Sequence, residues 1–271
     1  HDGSYPTHGA VFYRTAGSGC LWRDLFIDCG GTQTTPPDVT GIYTMQKGFE
    51  RMERVNVRRW SGPVSHGIHF DEATATVVDC VCAQWVGTDP GVSNESLHSG
   101  YGFNVTNGGG MFFHACQGNF GEAGLHVDSA SSNVEWSGGT LLNGKEGGTK
   151  SNATGAIIEG GSNVRFNDTH LNSCHIQLFP NSLNFIDAAI NGITFTQTYL
   201  HSLDALVVVN TNQANTNLSR FFVTPSFRLV GGVTPLNFKT TGSGSFASLS
   251  NDDITEINNQ QTAIEYNEAT A

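Results

Sequence analysis

Charge and helix-forming residues are what this sequence has least of. Only 14% of its 271 residues are Asp, Glu, Lys or Arg, and Lys and Arg together number 13. Leu, Lys and Glu are scarce and Gly numbers 33, which excludes a coiled coil or helical bundle, because glycine and asparagine are poor helix-interior residues. No apolar run approaches the ~20 residues of a membrane-spanning helix; the longest stretch of interest is Ala205–Val209. Glycine shows no three-residue period, so a collagen helix is excluded. Proline is low at 8, and 17 Phe with 4 Trp demand burial, so low charge here does not mean disorder. Cys80-Val81-Cys82 finds no second pair to complete a four-ligand zinc set.

The net charge is −11, unevenly spread: residues 1–60 carry 7 basic and 6 acidic residues, the remaining 211 carry 6 and 18. A basic face for phosphate neutralisation is missing, which argues against nucleic acid and against insertion at an anionic membrane. The six cysteines, with Cys80 and Cys82 in an alternating apolar run, read as buried reduced thiols. Because the chain starts at His1 without methionine, a preceding segment is expected.

What the sequence does have is repetition. Five segments read glycine followed by apolar–x–apolar: Gly41-Ile42-Tyr43-Thr44, Gly67-Ile68-His69-Phe70, Gly102-Phe103-Asn104-Val105, Gly124-Leu125-His126-Val127 and Gly155-Ala156-Ile157-Ile158. Less regular copies follow at Ile176-Gln177-Leu178, Leu206-Val207-Val208 and Leu236-Asn237-Phe238. Between them lie longer segments that read as two short strands around a polar break, such as Val164-Arg165-Phe166, Asn167-Asp168, Thr169-His170-Leu171. Alternation over four residues means strands with one buried face, and a strand cannot bury that face alone. Three short parallel strands per turn, stacked over about residues 12–240, describe an all-β, right-handed, single-stranded parallel β-helix; a β-sandwich is the alternative. The expected organisation is a β-helix over residues 1–245 and a C-terminal extension, linker or oligomer contact over 246–271. That extension reads first as an extended connection; the alternative is a short helix at Ile254-Thr255-Glu256-Ile257 capped by Asp252 or Asp253. Surplus length falls in Gly30–Thr40, Ser61–His66, Val86–Tyr101 and Gly144–Thr154, which should cluster as loops on one side.

These segments, with Leu21-Trp22-Arg23-Asp24-Leu25-Phe26-Ile27-Asp28-Cys29-Gly30-Gly31, give the sequence its family likeness. It resembles the pectin-lyase-like superfamily of parallel β-helices, and within it the tailspike and fibre proteins of bacteriophages. The resemblance implies a virion protein assembled in the host cytoplasm, a homotrimer with other virion proteins as partners, and a bacterial surface polysaccharide (capsule or lipopolysaccharide) as ligand or substrate. The polygalacturonase signatures and a calcium-binding aspartate cluster are not found, and the one paired Asp, Asp252-Asp253, lies outside the repeat.

Aligned on glycine, the second position of each repeat points outward and holds Tyr43, His69, Asn104, His126 and Ile157; the fourth holds Met45, Asp71, Thr106, Asp128 and Glu159. Glycoside hydrolysis needs one carboxyl to protonate the leaving oxygen and an ionised one opposite. Asp71, Asp128 and Glu159 are the candidates for this, with Asp128 or Glu159 as proton donor and Asp71 activating water. His69, Asn104, His126 and Tyr43 are the candidates for substrate binding. A lyase would need cations against the uronate, and only Lys145, Lys150, Arg165, Arg220, Arg228 and Lys239 follow residue 60. No metal and no cofactor is read from the sequence. Tyr5, Tyr13, Trp60, Trp85 and Tyr101 are further candidates to stack on sugar rings, or to be buried. Arg54, Asn56 and Arg58 read as one outward row that would meet an acidic neighbour subunit or an anionic saccharide. Two rival readings remain: a purely structural virion β-helix, and a secreted microbial polysaccharide lyase or hydrolase.

Overall fold

The computed structural model describes residues 9–14, 19–30, 39–45, 48–60, 65–83, 100–119, 121–142, 154–159 and 161–178, and beyond these only short strands between 186 and 246. The described residues are all strand, turn and bend, with no helix. Every paired strand runs parallel to its partner. The first ladder joins nine strands: Gly9–Arg14, Val39–Met45, Ile68–Asp71, Tyr101–Thr106, Ala123–Val127, Thr154–Ile158, His175–Leu178, Val207–Asn210 and Lys239–Thr241. The second sheet forks at the long strand Phe49–Arg58, on which Cys20–Asp28 also pairs. The front half of Phe49–Arg58 pairs with Thr74–Val78 and starts a second ladder through Gly109–His114, Ser132–Ser137 and Gly161–Asn167. Its back half pairs with Val81–Ala83 and starts a third through Gln117–Asn119, Thr140–Leu142 and His170–Asn172. Long parallel sheets of this kind are compatible with a stacked solenoid.

The polar breaks fall where the second ladder hands over to the third. Asp24, Arg54, Asp79, Ala115 and Asp168 all have positive φ there, between 49° and 55°. Asn107 takes the same conformation directly after the first-ladder strand Tyr101–Thr106, and Asn133 and Asn163 take it within the second-ladder strands Ser132–Ser137 and Gly161–Asn167. Asp and Asn tolerate this left-handed region better than other side-chain-bearing residues, which gives the chain's asparagine content a structural use.

Inward residues of the first ladder form two columns. Ile42, Ile68, Phe103, Leu125 and Ile176 lie in one, and Phe70, Val105, Val127, Ile158 and Leu178 in the other; all ten are fully buried. They meet an aromatic cluster in which Phe113 stacks on Trp136 at 5.5 Å and Phe103 packs edge-on against both. Five cysteines, Cys29, Cys80, Cys82, Cys116 and Cys174, are buried free thiols. Burial pushes the Cys29 thiol up to about 12, so it behaves as a small apolar residue.

The repeated glycine is a steric requirement. A Cβ on Gly41, Gly67 or Gly102 would lie 2.6 Å from the carbonyl oxygen of the next glycine in the column, respectively Gly67, Gly102 and Gly124. Gly124 in turn faces Gly118 of the third ladder, whose carbonyl oxygen would be 2.5 Å from an added Cβ. Backbone approaches backbone here, so no side-chain rotation relieves the clash.

Two sequence expectations change. Arg54, Asn56 and Arg58 do alternate outward with the buried Val55 and Val57, with Arg54 at the left-handed corner, but they do not await a neighbour subunit or a saccharide. Their acidic partners lie within the chain: Arg54 makes two bonds to Asp24 (2.6 and 3.1 Å), and Arg58 and Arg59 both face Asp28. Arg23 and Arg51 pair with Glu53, while Arg14 turns inward onto the buried Glu50. The late copies shift as well: Val207, not Leu206, pairs with Ile176, and the last strand is Lys239–Thr241. Short apolar runs fit two registers equally well by pattern, and only pairing chooses. Trp60 is fully buried, the second of the two readings open to it in the sequence. The connections 31–38, 61–64, 84–99 and 143–153, Tyr5, Trp85 and the extension after Phe246 with its Asp252 or Asp253 cap lie outside the described residues.

Two outcomes follow. Gly102→Ala should lower unfolding free energy by about 2–3 kcal/mol in urea titration, the range of an overpacked core. Gly9→Ala, with nothing within 4 Å of the added atom, should change it by less than ~0.5 kcal/mol. The Arg59 guanidinium holds the Asp28 carboxyl below its ordinary 3.8. A depressed folded value gives stability that is present above pH 3.8 and lost as pH falls through the lowered value. Hydrogen exchange across 20–28 should therefore stay slow down to about pH 4 and accelerate below it, ahead of the core strands.

Candidate functional site on the first ladder

Parallel, in-register pairing turns a sequence position into a column of side chains about 4.8 Å apart. On the first ladder's outer face the pairing aligns Tyr13, Tyr43, His69, Asn104, His126, Ile157 and Gln177. Beside it Met45, Asp71 and Thr106 align, and the amides of Asp128 and Glu159 continue that column by bonding Val105 O and Val127 O at 3.0 and 2.9 Å. All seven site residues read from the sequence thus lie on one face.

Their contacts divide them into three groups. Asp71 is held by the Tyr43 hydroxyl, which donates to Oδ2 at 2.6 Å, and by Thr106 Oγ1, which donates to Oδ1 at 3.1 Å. Thr106 Oγ1 also lies 2.9 Å from His69 Nε2 and so links His69 to Asp71. Burial, then the Asp71 bond, pushes the Tyr43 hydroxyl well above its ordinary value, so it remains a donor. The second group centres on His126. Its Nδ1 meets Asn104 Oδ1 at 2.6 Å and its Nε2 lies 3.4 Å from Glu159 Oε1, a long ion-pair contact. The His126 ring holds the Glu159 carboxyl below the usual carboxylate range, against the opposing effect of burial.

Asp128 forms the third group and serves the corner. Its carboxylate accepts from the backbone N–H of Asn107 (3.1 and 3.2 Å), from Ala130 N (3.2 Å) and from Ser131 Oγ (2.6 Å). That satisfies it where it stands and ties one turn of chain to the next.

Rings cover much of the face. Tyr101 lies between two imidazoles, nearly parallel to both: His66 at 5.4 Å and His126 at 4.2 Å. Tyr13 stacks on Tyr43 at 5.1 Å, and Tyr43 and His66 each meet His69 edge-on. Tyr101, read from the sequence as either a sugar-stacking or a buried aromatic, has imidazoles against both faces. The row is also drier than an outer surface should be: Tyr43 is 7% exposed, Asn104 4% and His126 7%, while Glu159 stays exposed. Stacked side chains 4.8 Å apart shade one another, which a single-strand view does not anticipate.

Sequence reasoning passed over His66, whose Nδ1 accepts the backbone N–H of Tyr101 at 3.1 Å. The available signal was its place immediately before Gly67, matching Tyr101 before Gly102. It also set aside Thr106, the link between Asp71 and His69.

Compared with known proteins, the chain matches no family model, no curated protein and no solved structure. Chemically, the face offers hydroxyl-binding groups and two ionised or hydrogen-bonded carboxylates, Asp71 and Glu159. Those two are three strands apart, roughly 14 Å by stacking, beyond the ~6.5–9.5 Å of an inverting pair. Asp71 and Asp128 are two strands apart, about 9.6 Å, but Asp128 is engaged at its corner. Glu159, held in its ionised form, suits a base or hydrogen-bond acceptor rather than a proton donor.

Tyr43→Phe removes the hydroxyl from Asp71 and leaves the ring stack. It should cost about 1.5–3 kcal/mol in chemical denaturation, as expected for a bond to a charged group.

Proposed function

We propose that this chain is a right-handed, single-stranded parallel β-helix of the pectin-lyase-like type. It forms the body of a bacteriophage spike or fibre and recognises a bacterial surface polysaccharide through the first ladder's outer face. Three ladders that each take one strand per turn support the fold, and crossovers between parallel strands are right-handed in nearly all proteins. The observation that carries the functional reading is the aligned row Tyr43, His69, Asn104, His126 flanked by Asp71 and Glu159. It presents donors and acceptors at a fixed repeat along a rigid surface, suited to a repeating chain of hydroxyls.

Recognition is the primary role in this reading. Cleavage by hydrolysis needs a protonated carboxyl, and of the three candidates Glu159 is held ionised and Asp128 is committed to its turn. A secreted lyase fits less well, because the described outward rows of this face hold no Lys or Arg to neutralise a uronate. A purely structural virion role is the second reading, favoured by the burial of Tyr43, Asn104 and His126. The proposed assembly is a homotrimer with virion partners. Val11, Leu21, Phe26, Phe49 and Phe112 are exposed apolar side chains on the outer sheet faces, of the kind that closed symmetry covers.

The test is incubation of the purified protein with capsule or lipopolysaccharide from candidate hosts, followed by sedimentation and a reducing-end assay. Retention of the protein on a glycan without new reducing ends is expected, together with a mass three times 29.0 kDa. Glu159→Gln, at an exposed position, should weaken retention about tenfold, or about 1.4 kcal/mol. No retention of the wild type on any glycan would favour the structural reading, retention equal in wild type and variant would move the site off this face, and new reducing ends abolished by Asp71→Asn would restore hydrolysis.

A further inference from the structure

We propose that Cys80 and Cys116 form a modification site: two stacked thiols that hydrogen peroxide oxidises to an intrachain disulfide between successive turns. The inference rests on the interior of the fold and is independent of the glycan reading above.

The backbone puts the two residues in register. Asp79 N–H donates to His114 O at 3.0 Å and Gln117 N–H donates to Cys80 O at 2.8 Å. That parallel pattern sets Cys80 opposite Cys116, 36 residues later in the chain. Neighbouring parallel strands lie about 4.8 Å apart, inside the roughly 4.4–6.8 Å between α-carbons that a disulfide spans. Each sulfur lies beside the carbonyl two residues earlier in its own turn: Cys80 Sγ is 3.3 Å from Val78 O, and Cys116 Sγ is 3.4 Å from His114 O. The two side chains therefore leave the backbone in the same direction. Cys116 Sγ also lies 3.4 Å from Val77 O, which brings it onto the turn that carries Cys80. No other described cysteine meets a thiol in its column. Cys20 aligns with Glu50, and Cys82 lies between Val57 and Gly118. Cys174 Sγ rests against Leu141 O at 3.1 Å.

The two thiols are unequal. Contact with the Cys116 thiol, aided by the Val55 N–H that donates to Cys80 Sγ at 3.4 Å, holds the Cys80 thiol below its ordinary value against the opposing effect of burial. Burial, then the same contact, pushes the Cys116 thiol up. The thiolate is the reacting form, so Cys80 reacts first. Its sulfur attacks one oxygen of hydrogen peroxide, the O–O bond breaks, and the departing hydroxide takes the thiol proton as water. Cys80 is left as a sulfenic acid. The Cys116 sulfur then attacks the Cys80 sulfur: the S–S bond forms, the S–O bond breaks, and the hydroxyl leaves with the Cys116 proton as a second water. Two thiols have lost two electrons and two protons to one peroxide. Both sulfurs are buried, but each cysteine directly follows an exposed left-handed corner residue, Asp79 or Ala115. Local opening of that corner admits an oxidant close to water in size. The bond closes a loop that contains the connection 84–99 and ties the turn before it to the turn after it.

The experiment treats the folded full chain with hydrogen peroxide, quenches it in acid, unfolds it, labels the remaining thiols with N-ethylmaleimide and maps its peptides without reduction. The expected result is one cross-linked peptide pair holding Cys80 and Cys116, about 2 Da lighter than its two thiol peptides together. Cys82 and Cys174 should stay labelled, and dithiothreitol should reverse the link. Cys80→Ser and Cys116→Ala should each abolish it, while Cys82→Ser should keep it. The linked chain should unfold at a higher urea concentration than the reduced chain, as a cross-link that fits the native geometry requires. Cys80 and Cys116 both still labelled after peroxide, either of them linked to another cysteine, or Cys80 carried to sulfinic acid with no link would overturn the proposal. A linked chain that unfolds at lower urea than the reduced one would overturn it too, because the bond would then strain the column. The peptide map of the wild-type chain decides even where a variant fails to fold.

Discussion

Where the first ladder turns beside the third, backbone lies against backbone. The carbonyl oxygens of Gly67, Gly102 and Gly124 each lie 2.6 Å from where a Cβ on the preceding glycine of the column would be, and Gly124 in turn lies against Gly118 of the third ladder. Only glycine permits that approach, beside an interior filled by buried Ile, Val and Phe. The approach also fixes register. A one-residue slip would put a side chain into the carbonyl column and turn each inward column outward. The aromatic cluster of Phe70, Phe103, Phe113 and Trp136, the buried thiols and the outward polar rows all inherit their positions from this contact.

Corners are managed by a different device. Left-handed residues turn the chain at its corners, and among the described ones that are not glycine six of eleven are Asp or Asn. The side chains beside them then tie neighbouring turns, as Asp128 does with Asn107 and Ser131. At the N-terminal end, arginines on Phe49–Arg58 clamp Cys20–Asp28 through Asp24 and Asp28. The inward ion pair of Arg14 and Glu50 places charge at the end of the interior, a recognised way of blunting an open sheet edge.

The outer face of the first ladder shows how stacking changes chemistry. Each of its residues alone would be a solvated polar group. In register they become a network: Tyr43 to Asp71 to Thr106 to His69, and Asn104 to His126 to Glu159. Partial burial strengthens these bonds and keeps the tyrosine protonated. It also commits carboxylates that looked available in the sequence, Asp71 to Tyr43 and Thr106 and Asp128 to its corner.

Much of this was written in the sequence because a stacked parallel sheet translates chain position into spatial position. The glycine recurrence, the inward columns from Ile42 to Leu178 and the co-location of Tyr43, His69, Asn104, His126, Asp71, Asp128 and Glu159 all follow from period-two alternation and a shared glycine. Where that alternation weakens, as at Leu206-Val207-Val208, only pairing could choose the register. Tertiary structure alone decided that Asp128 faces its corner, that Tyr101 lies between His66 and His126, and that Arg54, Arg58 and Arg59 find Asp24 and Asp28 inside the chain. Those outcomes depend on side-chain direction and on contacts across 20 to 40 residues of sequence. A repeat pattern specifies which column a residue enters, and the neighbours in that column determine what its functional group is free to do.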